Sequence, residues 1–478
     1  MSCFASCTLL SGWLCYIIPD MVFSSFQFLG IFLPLFLVAY YLTCRFARVY
    51  RNTVIFLFSI GFYAYGAIAS GTPLYLLVIL FSVVFNYEVG LYMPRAKSPG
   101  RKKLAFVIGL VMDFAILFLF KYSDFVLGTG LGLILPIGIS FYTFQIASYL
   151  IDVYRDPSLS EKSFVNLGAY IMMFPQLIAG PIVRFSEVQK DLRKRRENKE
   201  QVIDGFKTFV IGLGFKVILA NQLGSIWTQA NTIGFESVSV PMAWLAMIAY
   251  SFQLYFDFYG YSLMAIGLGR IMGFEFPTNF NSPYVSTSMT EFWRRWHMTL
   301  GSWFREYVYI PLGGSRRGQA RTTLNLFIVW MLTGIWHGAD WNFIIWGGVL
   351  FVIIAIEKLG VKDFMDSHRV IGHLYMIILI PLQWMVFAVS DLKDLGALYG
   401  RLVGIGGVAV RSGDWLEELS HGWWLLLLAL VLSTELPAKL YNRFKKNPVV
   451  YVLLAGVLGV VIYCLAMGLD DPFMYFRF

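Results

Sequence analysis

The chain has 478 residues, of which 58% are hydrophobic and 14% charged. Soluble globular proteins carry about 25% charged residues, so this composition excludes an ordinary soluble domain and points to a chain built of membrane spans. The net charge of +9 calls for no nucleic-acid partner, because its distribution along the spans explains it.

Residues 1–20 come before the first long apolar run and hold Cys3, Cys7 and Cys15 but no Lys or Arg. Without a basic n-region this start predicts an uncleaved signal-anchor rather than a removed signal peptide. We take residues 1–20 as an N-terminal extension and Met21 as the physiological start. From there, long apolar runs predict twelve spans: 21–43, 52–69, 72–93, 104–121, 126–152, 204–222, 241–268, 321–337, 341–357, 371–390, 422–437 and 448–468. Two stretches, 164–183 and 272–315, mix apolar residues with Pro, Gly and charge. They predict re-entrant or interfacial segments, whose backbone must be covered by protein or line a cavity. The expected fold is an all-α polytopic integral membrane protein with about 11–12 transmembrane helices, arranged as one domain over residues 21–478. No linker, soluble domain or internal repeat interrupts it.

Charge orients these spans. With the N-terminus outside, the inward loops hold 31 of the 38 Lys and Arg, whereas the outward loops hold only Lys393, Arg401, Arg411 and Arg477. That is the positive-inside pattern. The densest run, Arg193-Lys194-Arg195-Arg196, reads as a solvated cytoplasmic loop near anionic lipid. The five cysteines form no disulfide framework, and no metal-ligand spacing appears.

Two of the five histidines sit in unusual surroundings. The first is in Thr290-Glu291-Phe292-Trp293-Arg294-Arg295-Trp296-His297, the second in Gly334-Ile335-Trp336-His337-Gly338-Ala339-Asp340-Trp341. A charge at a helix centre in the bilayer costs on the order of 3 kcal/mol, so ionisable residues at that depth mark candidate sites. Histidine suits such a place because its neutral form can accept a proton near neutral pH. On a helical wheel for residues 291–308, Trp293, Trp296, Leu300, Phe304 and Tyr307 fall within roughly 80°, with His297 on the same face. The expectation is one amphipathic interfacial helix with its histidine turned inward. His337 closes a span that starts near Thr322, which puts it roughly 22 Å from the cytoplasmic end. Gly334 and Gly338 allow another backbone or a substrate to approach closely. Read alone, the His297 segment favours a hydrogen-bonded structural histidine, whereas His337 reads equally as a structural residue or a site. Asp257 lies in an aromatic span, where it could orient a histidine, pair with a cation or be protonated. Of these a structural role is expected. Asn279, Asn281 and Tyr284 surround Pro277 and Pro283 and read as loop caps and turns.

The ordered motifs Phe292-Trp293-Arg294-Arg295-Trp296-His297, Tyr309-Ile310-Pro311-Leu312-Gly313-Gly314 and Trp336-His337-Gly338-Ala339, with Trp341 and Trp346-Gly347, resemble the membrane-bound O-acyltransferase superfamily. Further matches are Leu135-Pro136-Ile137-Gly138-Ile139-Ser140-Phe141, Gly180-Pro181-Ile182-Val183-Arg184, Phe256-Asp257-Phe258-Tyr259-Gly260-Tyr261-Ser262 and the tail Tyr475-Phe476-Arg477-Phe478. Within the superfamily the chain looks most like subunits that acetylate alginate and cell-wall polysaccharides. Glu306 stands where an aspartate is commoner, and it keeps the charge.

The resemblance implies spans around a central tunnel and acyl transfer across the bacterial cytoplasmic membrane. Acetyl-coenzyme A would be the cytoplasmic donor. The acceptor would be an extracytoplasmic polysaccharide or a serine of a partner SGNH-type acetyltransferase. His337 would be the general base, and His297 would bind or orient the donor near the cytoplasmic mouth. Arg294, Arg295 and Arg305 become candidates for the donor phosphates, with Asp257, Trp336 and Asn281 in support. No metal is implied. Rival readings are D-alanyl transfer to teichoic acid, and a transporter or flippase built of similar spans. Deleting residues 1–20 is expected to leave membrane insertion and acetylation intact, measured as membrane-fraction yield and polysaccharide O-acetyl content; loss of either would give the extension a role.

Overall fold

The computed structural model describes residues 21–405 and 412–468. The expected N-terminal extension, residues 1–20, and the tail motif from Tyr475 to Phe478 lie outside the described residues. Among the described residues the regular structure is helical, without a β-strand.

Among the described residues eight helices are long and apolar enough to cross a membrane: Phe28–Phe46, Arg48–Ala69, Tyr75–Arg95, Pro99–Lys121, Trp341–Ser367, Arg369–Ala388, Asp414–Leu432 and Pro448–Ala466. The other four expected spans are also helical, but they are shorter or richer in polar groups. They are Ile139–Arg155, Lys199–Gly214 with its π-helical continuation Phe215–Ala220, Val240–Ile271 and Gln319–His337. Each buries a polar side chain: Gln145, Lys216, Asp257 and His337 respectively. Buried polar groups are not confined to these four, since Asn86, Asp113, Glu357 and Gln383 are buried on the apolar spans as well.

The expected span 126–152 is not one helix. A short helix, Ser123–Leu127, stops at Gly128 in the left-handed region, and the helix resumes only at Ile139. Gly128, Gly130, Gly132 and Gly138 all take positive φ, a conformation that glycine adopts without a Cβ clash. The Asp124 carboxylate accepts the backbone N–H groups of Leu131 and Gly132 at 2.8 Å each, so the loop folds back on its own helix end. The expected break in 164–183 is present. Helix Phe164–Met172 ends at Met173, ahead of Phe174–Leu177 with its Pro175. Residues 167–183 are buried throughout, and Gln176 Nε2 donates to the Tyr170 carbonyl at 2.5 Å. Irregular backbone in a membrane protein is tolerated where protein covers it.

The described residues gather into two compact units. One holds the residues up to Phe209 with Met264–Pro277; the other holds Val210–Leu263 with the residues from Thr278 onward. In the first unit the basic run departs from the solvated loop expected of it. Arg195 is 4% exposed. Its guanidinium lies 4.2 Å from the Phe274 ring centroid and donates to the Met272 carbonyl at 2.8 Å and to Asn52 Oδ1 at 2.7 Å. Arg193 reaches Glu161 at 3.2 Å. Burial against Phe274 with hydrogen bonds from Nε and Nη1, rather than lipid attraction, decides the place of Arg195. In the same unit Gly205 and Gly267 let two helices meet backbone to backbone. A Cβ on Gly267 would lie 2.6 Å from the Gly205 carbonyl oxygen and 2.7 Å from the Phe209 nitrogen. Gly267→Ala should therefore cost about 1–3 kcal/mol, read as a lower melting temperature of the detergent-purified protein. Gly456→Ala, where a Cβ meets nothing within 4 Å, should not lower it.

Candidate active site

The stretch around the first histidine is held by a buried carboxylate. Helix Met289–Arg295 is capped by Ser288, whose Oγ accepts from the Glu291 N–H at 3.2 Å. Glu357, 1% exposed, accepts the N–H of Met289 at 2.6 Å, the N–H of Thr290 at 2.7 Å and the Thr290 hydroxyl at 2.6 Å. Three donors at a helix N-terminus, where the backbone dipole is positive, stabilise a carboxylate away from water.

The expected continuous helix over 291–308 is broken at the histidine. Trp296 is extended, His297 takes φ 44° and ψ 51°, and a new helix runs Met298–Phe304 into the π-turn Arg305–Tyr309. Left-handed backbone in a residue other than glycine costs on the order of 1–3 kcal/mol, persists only where the surroundings impose it, and clusters at functional sites. Here residues 279–281 impose it. Asn281 N–H donates to the Arg295 carbonyl and Met298 N–H to the Asn279 carbonyl, each at 2.9 Å. The apolar periodicity survives the break, because Trp296, Leu300, Trp303 and Phe304 remain buried; periodicity alone could not reveal it.

The Asn279 side chain sets the tautomer of His297. Asn279 Oδ1 accepts from the Thr299 N–H at 3.3 Å and the Thr299 hydroxyl at 2.9 Å, and Nδ2 donates to Ser262 Oγ at 3.0 Å. A backbone N–H can only donate, so Oδ1 is assigned as the oxygen. His297 Nδ1, 3.0 Å from that oxygen, must then carry the proton. The lone pair is left on Nε2, which is buried without a hydrogen-bond partner. His297 lies on the connection between spans, and burial pushes its imidazole down to about 3. The ring is neutral at physiological pH, with its basic nitrogen aimed away from its anchor.

His337 ends helix Gln319–His337, which returns directly as helix Trp341–Ile356 after an Asp340 cap on the Trp341 N–H at 2.9 Å. The two helices touch backbone to backbone. A Cβ on Gly334 would lie 2.4 Å from the Phe343 carbonyl oxygen, and one on Gly347 2.6 Å from the Trp330 carbonyl oxygen. His337 is 8% exposed. Its ring meets Trp346 edge to face at 5.2 Å and Phe387 at 5.1 Å between centroids. Trp336 joins the two histidines: its ring lies 6.1 Å from His297 and 4.8 Å from His337. Chain positions forty residues apart thus meet in one aromatic cluster, which Trp293 enters by packing on Trp346 at 5.5 Å.

The remaining candidates separate. Asp257, buried, faces Lys216 at 2.9 Å, and Lys216 also donates to Asn221 Oδ1 at 2.9 Å. The next residue, Phe258, packs edge to face on His297 at 4.7 Å. Asn281 is exposed and acts through its backbone. Asn279 and Glu357 are positioning residues that sequence reasoning did not single out for the histidine; their only signal was an amide near His297 and an acid ending an apolar span. Arg294 and Arg295 line a cleft of about 670 Å³ with Val285, Thr287, Glu291, Lys362, Asp366, Arg369, His373 and Glu435. Arg305 is exposed and outside that lining.

The Lys216–Asp257 pair yields a stability prediction. Breaking one side of a buried pair costs about 3–5 kcal/mol because the partner is left uncompensated, whereas apolar replacement of both can be neutral. Asp257→Asn should lower folded yield and melting temperature more than turnover per folded molecule, and Lys216→Met with Asp257→Leu should recover much of the yield. An Asp257→Asn protein that folds normally but is inactive would place the carboxylate in the chemistry.

Comparison with known proteins accords with this arrangement. Residues 55–368 match the model of MBOAT, the membrane-bound O-acyltransferase family. The chain is 38% identical over 420 residues to a probable alginate O-acetylase AlgI of Pseudomonas syringae pv. tomato, covering 84% of this chain and 77% of that protein. It is 33% identical over 436 residues to a peptidoglycan O-acetyltransferase of Helicobacter pylori, covering 82% and 81%. A teichoic acid D-alanyltransferase of Streptococcus thermophilus is 30% identical over 285 residues, or 57% of this chain and 68% of that protein. The family match over residues 55–368 and the similarity to relatives over more than four-fifths of the chain lead to one conclusion: this chain belongs to the membrane-bound O-acyltransferase family.

Proposed function

We propose that this acyltransferase takes an acetyl group from cytoplasmic acetyl-coenzyme A and passes it across the bacterial cytoplasmic membrane to an extracytoplasmic polysaccharide, directly or through the serine of an SGNH-type partner. The observation that carries the reading is the cluster in which Trp336 touches both His297 and His337. Similarity to the two O-acetylating relatives spans over four-fifths of the chain, against 57% for the D-alanyltransferase, and this favours acetyl over D-alanyl. Tryptophan-flanked histidines in one cluster favour chemistry over a transporter, for which paired intramembrane charges would be expected. In this reading the N-terminus faces outward, as the Lys and Arg distribution implies.

His337 acts as general base. It takes the proton of the acceptor hydroxyl as the oxygen bonds to the thioester carbonyl carbon. When the tetrahedral intermediate collapses, the carbon–sulfur bond breaks and the proton passes from the imidazolium to the departing thiolate. His297, on the segment that carries Arg294 and Arg295, holds the donor; its Nε2 lone pair accepts a hydrogen bond from an amide of the donor arm. The aromatic walls keep water from the thioester.

Loss of a general base typically costs about 10²–10⁴ in rate. His337→Ala should reach the membrane at parental levels and leave the polysaccharide almost unacetylated. His297→Ala should raise the KM for acetyl-coenzyme A more than it changes acceptor use. The measurement is O-acetyl content of secreted and wall polysaccharide in a deletion strain complemented at matched protein levels. Near-parental acetylation by His337→Ala would overturn the assignment.

A further inference from the structure

The cleft beside helix Met289–Arg295 carries positive charge that its own carboxylates do not neutralise. Four of its lining residues are Lys or Arg and three are Asp or Glu. The acids are already engaged. Glu291 reaches Arg295 at 2.9 Å and accepts from the Thr287 N–H at 3.0 Å. Glu435 reaches Arg295 at 3.1 Å and Lys439 at 2.8 Å. Asp366 pairs with Lys362 and accepts from the Thr287 hydroxyl at 2.8 Å. Arg294 and Arg369 make no ion pair among the described residues, and both are exposed. His373 lies one helical turn beyond Arg369, on the same face.

Two guanidiniums outside any ion pair among the described residues, facing a cleft of about 670 Å³, suit a multiply charged phosphate ligand, although Arg294 also acts on the Asp366 carboxylate. Each fork can grip phosphate oxygens in pairs, which a lysine cannot do, and the volume falls in the range of small-molecule sites, about 300–1,000 Å³. The position matters as much as the charge. Arg294 faces the cleft, while its neighbour Trp293 packs on Trp346, which in turn meets His337. One seven-residue helix therefore has its arginines at the cleft and its tryptophan in the histidine cluster.

We propose that this cleft docks the phosphate groups of the soluble acyl donor, with Arg294 and Arg369 as the main contacts and His373 beside them, so that the flexible thioester arm runs past Trp293 to the histidines. This rests on the acyl-transfer reading and adds to it a distinct anionic subsite, with two residues outside the sequence motifs. A phospholipid headgroup offers the same phosphate chemistry, so the test separates the two sources.

The full-length protein is placed in phosphatidylcholine nanodiscs, and binding of coenzyme A and of adenosine 3′,5′-bisphosphate is measured calorimetrically. Neither arginine holds a structural ion pair, so Arg294→Gln with Arg369→Gln should fold. It should weaken both probes by about tenfold or more, the scale of losing charge-assisted bonds at a partly exposed site. The KM for acetyl-coenzyme A should rise similarly with kcat near parental, and Arg294→Lys with Arg369→Lys should restore only part of the affinity. Parental binding of both probes by the double glutamine variant would overturn the proposal. So would a loss confined to phosphatidylglycerol binding, read by native mass spectrometry of nanodiscs containing that lipid, which would make the cleft a lipid site. His337→Ala should abolish transfer but keep coenzyme A binding. A parental protein that transfers no acetyl group yet loses coenzyme A affinity in the double variant would leave the cleft standing and remove the acetyl-transfer reading.

Discussion

The candidate site depends on one buried carboxylate. Glu357, at the end of the helix that begins at Trp341, accepts three donors from Met289 and Thr290. An unpaired carboxylate inside protein would be costly, so these bonds are close to obligatory, and they fix where helix Met289–Arg295 begins. From that point the short helix has little freedom. Its tryptophan must enter the aromatic cluster, its arginines must face the cleft, and its end must deliver His297 to Asn279. Glu357 and Trp346 lie on one continuous run of helix. The same rigid rod that holds the first histidine's segment therefore also walls the second histidine.

Within this frame the two histidines are treated differently. His297 is locked by backbone strain and a side-chain amide, and one of its nitrogens is left unsatisfied. A buried polar atom without a partner costs free energy that a stable fold usually avoids. His337 is held by aromatic edges and by a helical hairpin drawn tight by Gly334, Gly338 and Gly347. The setting is low in dielectric, because the ring is 8% exposed and walled by aromatic side chains.

The basic residues likewise divide by what surrounds them. Arg195 is consumed by the fold of the first unit, where Asn52, the Met272 carbonyl and the Phe274 ring take up its guanidinium. Lys216 is consumed by Asp257 and Asn221. Arg295 is consumed by Glu291 and Glu435. Arg294 and Arg369 are left with charge to offer, at an open cleft. Sequence position does not distinguish Arg294 from Arg295; their partners do.

The all-helical membrane class, the break near Pro175 and the two tryptophan-flanked histidine settings were legible in the sequence. Each rests on composition or on local pattern: apolar length sets a span, proline removes a backbone donor, and tryptophans flanking a histidine stand out in any reading. The interruption at residues 128–138 was written in its glycines but was outweighed by their apolar neighbours. The break at His297 was hidden, because inward-facing residues keep their helical spacing on either side of it. What only the tertiary structure decided are the pairings between distant positions. These are Asn279 with His297, Glu357 with Thr290, Lys216 with Asp257, and Arg294 with a cleft shared by Arg369. Such pairings are selected by the energy of satisfying polar groups where water is absent, and that energy depends on which groups meet in space rather than on their order along the chain.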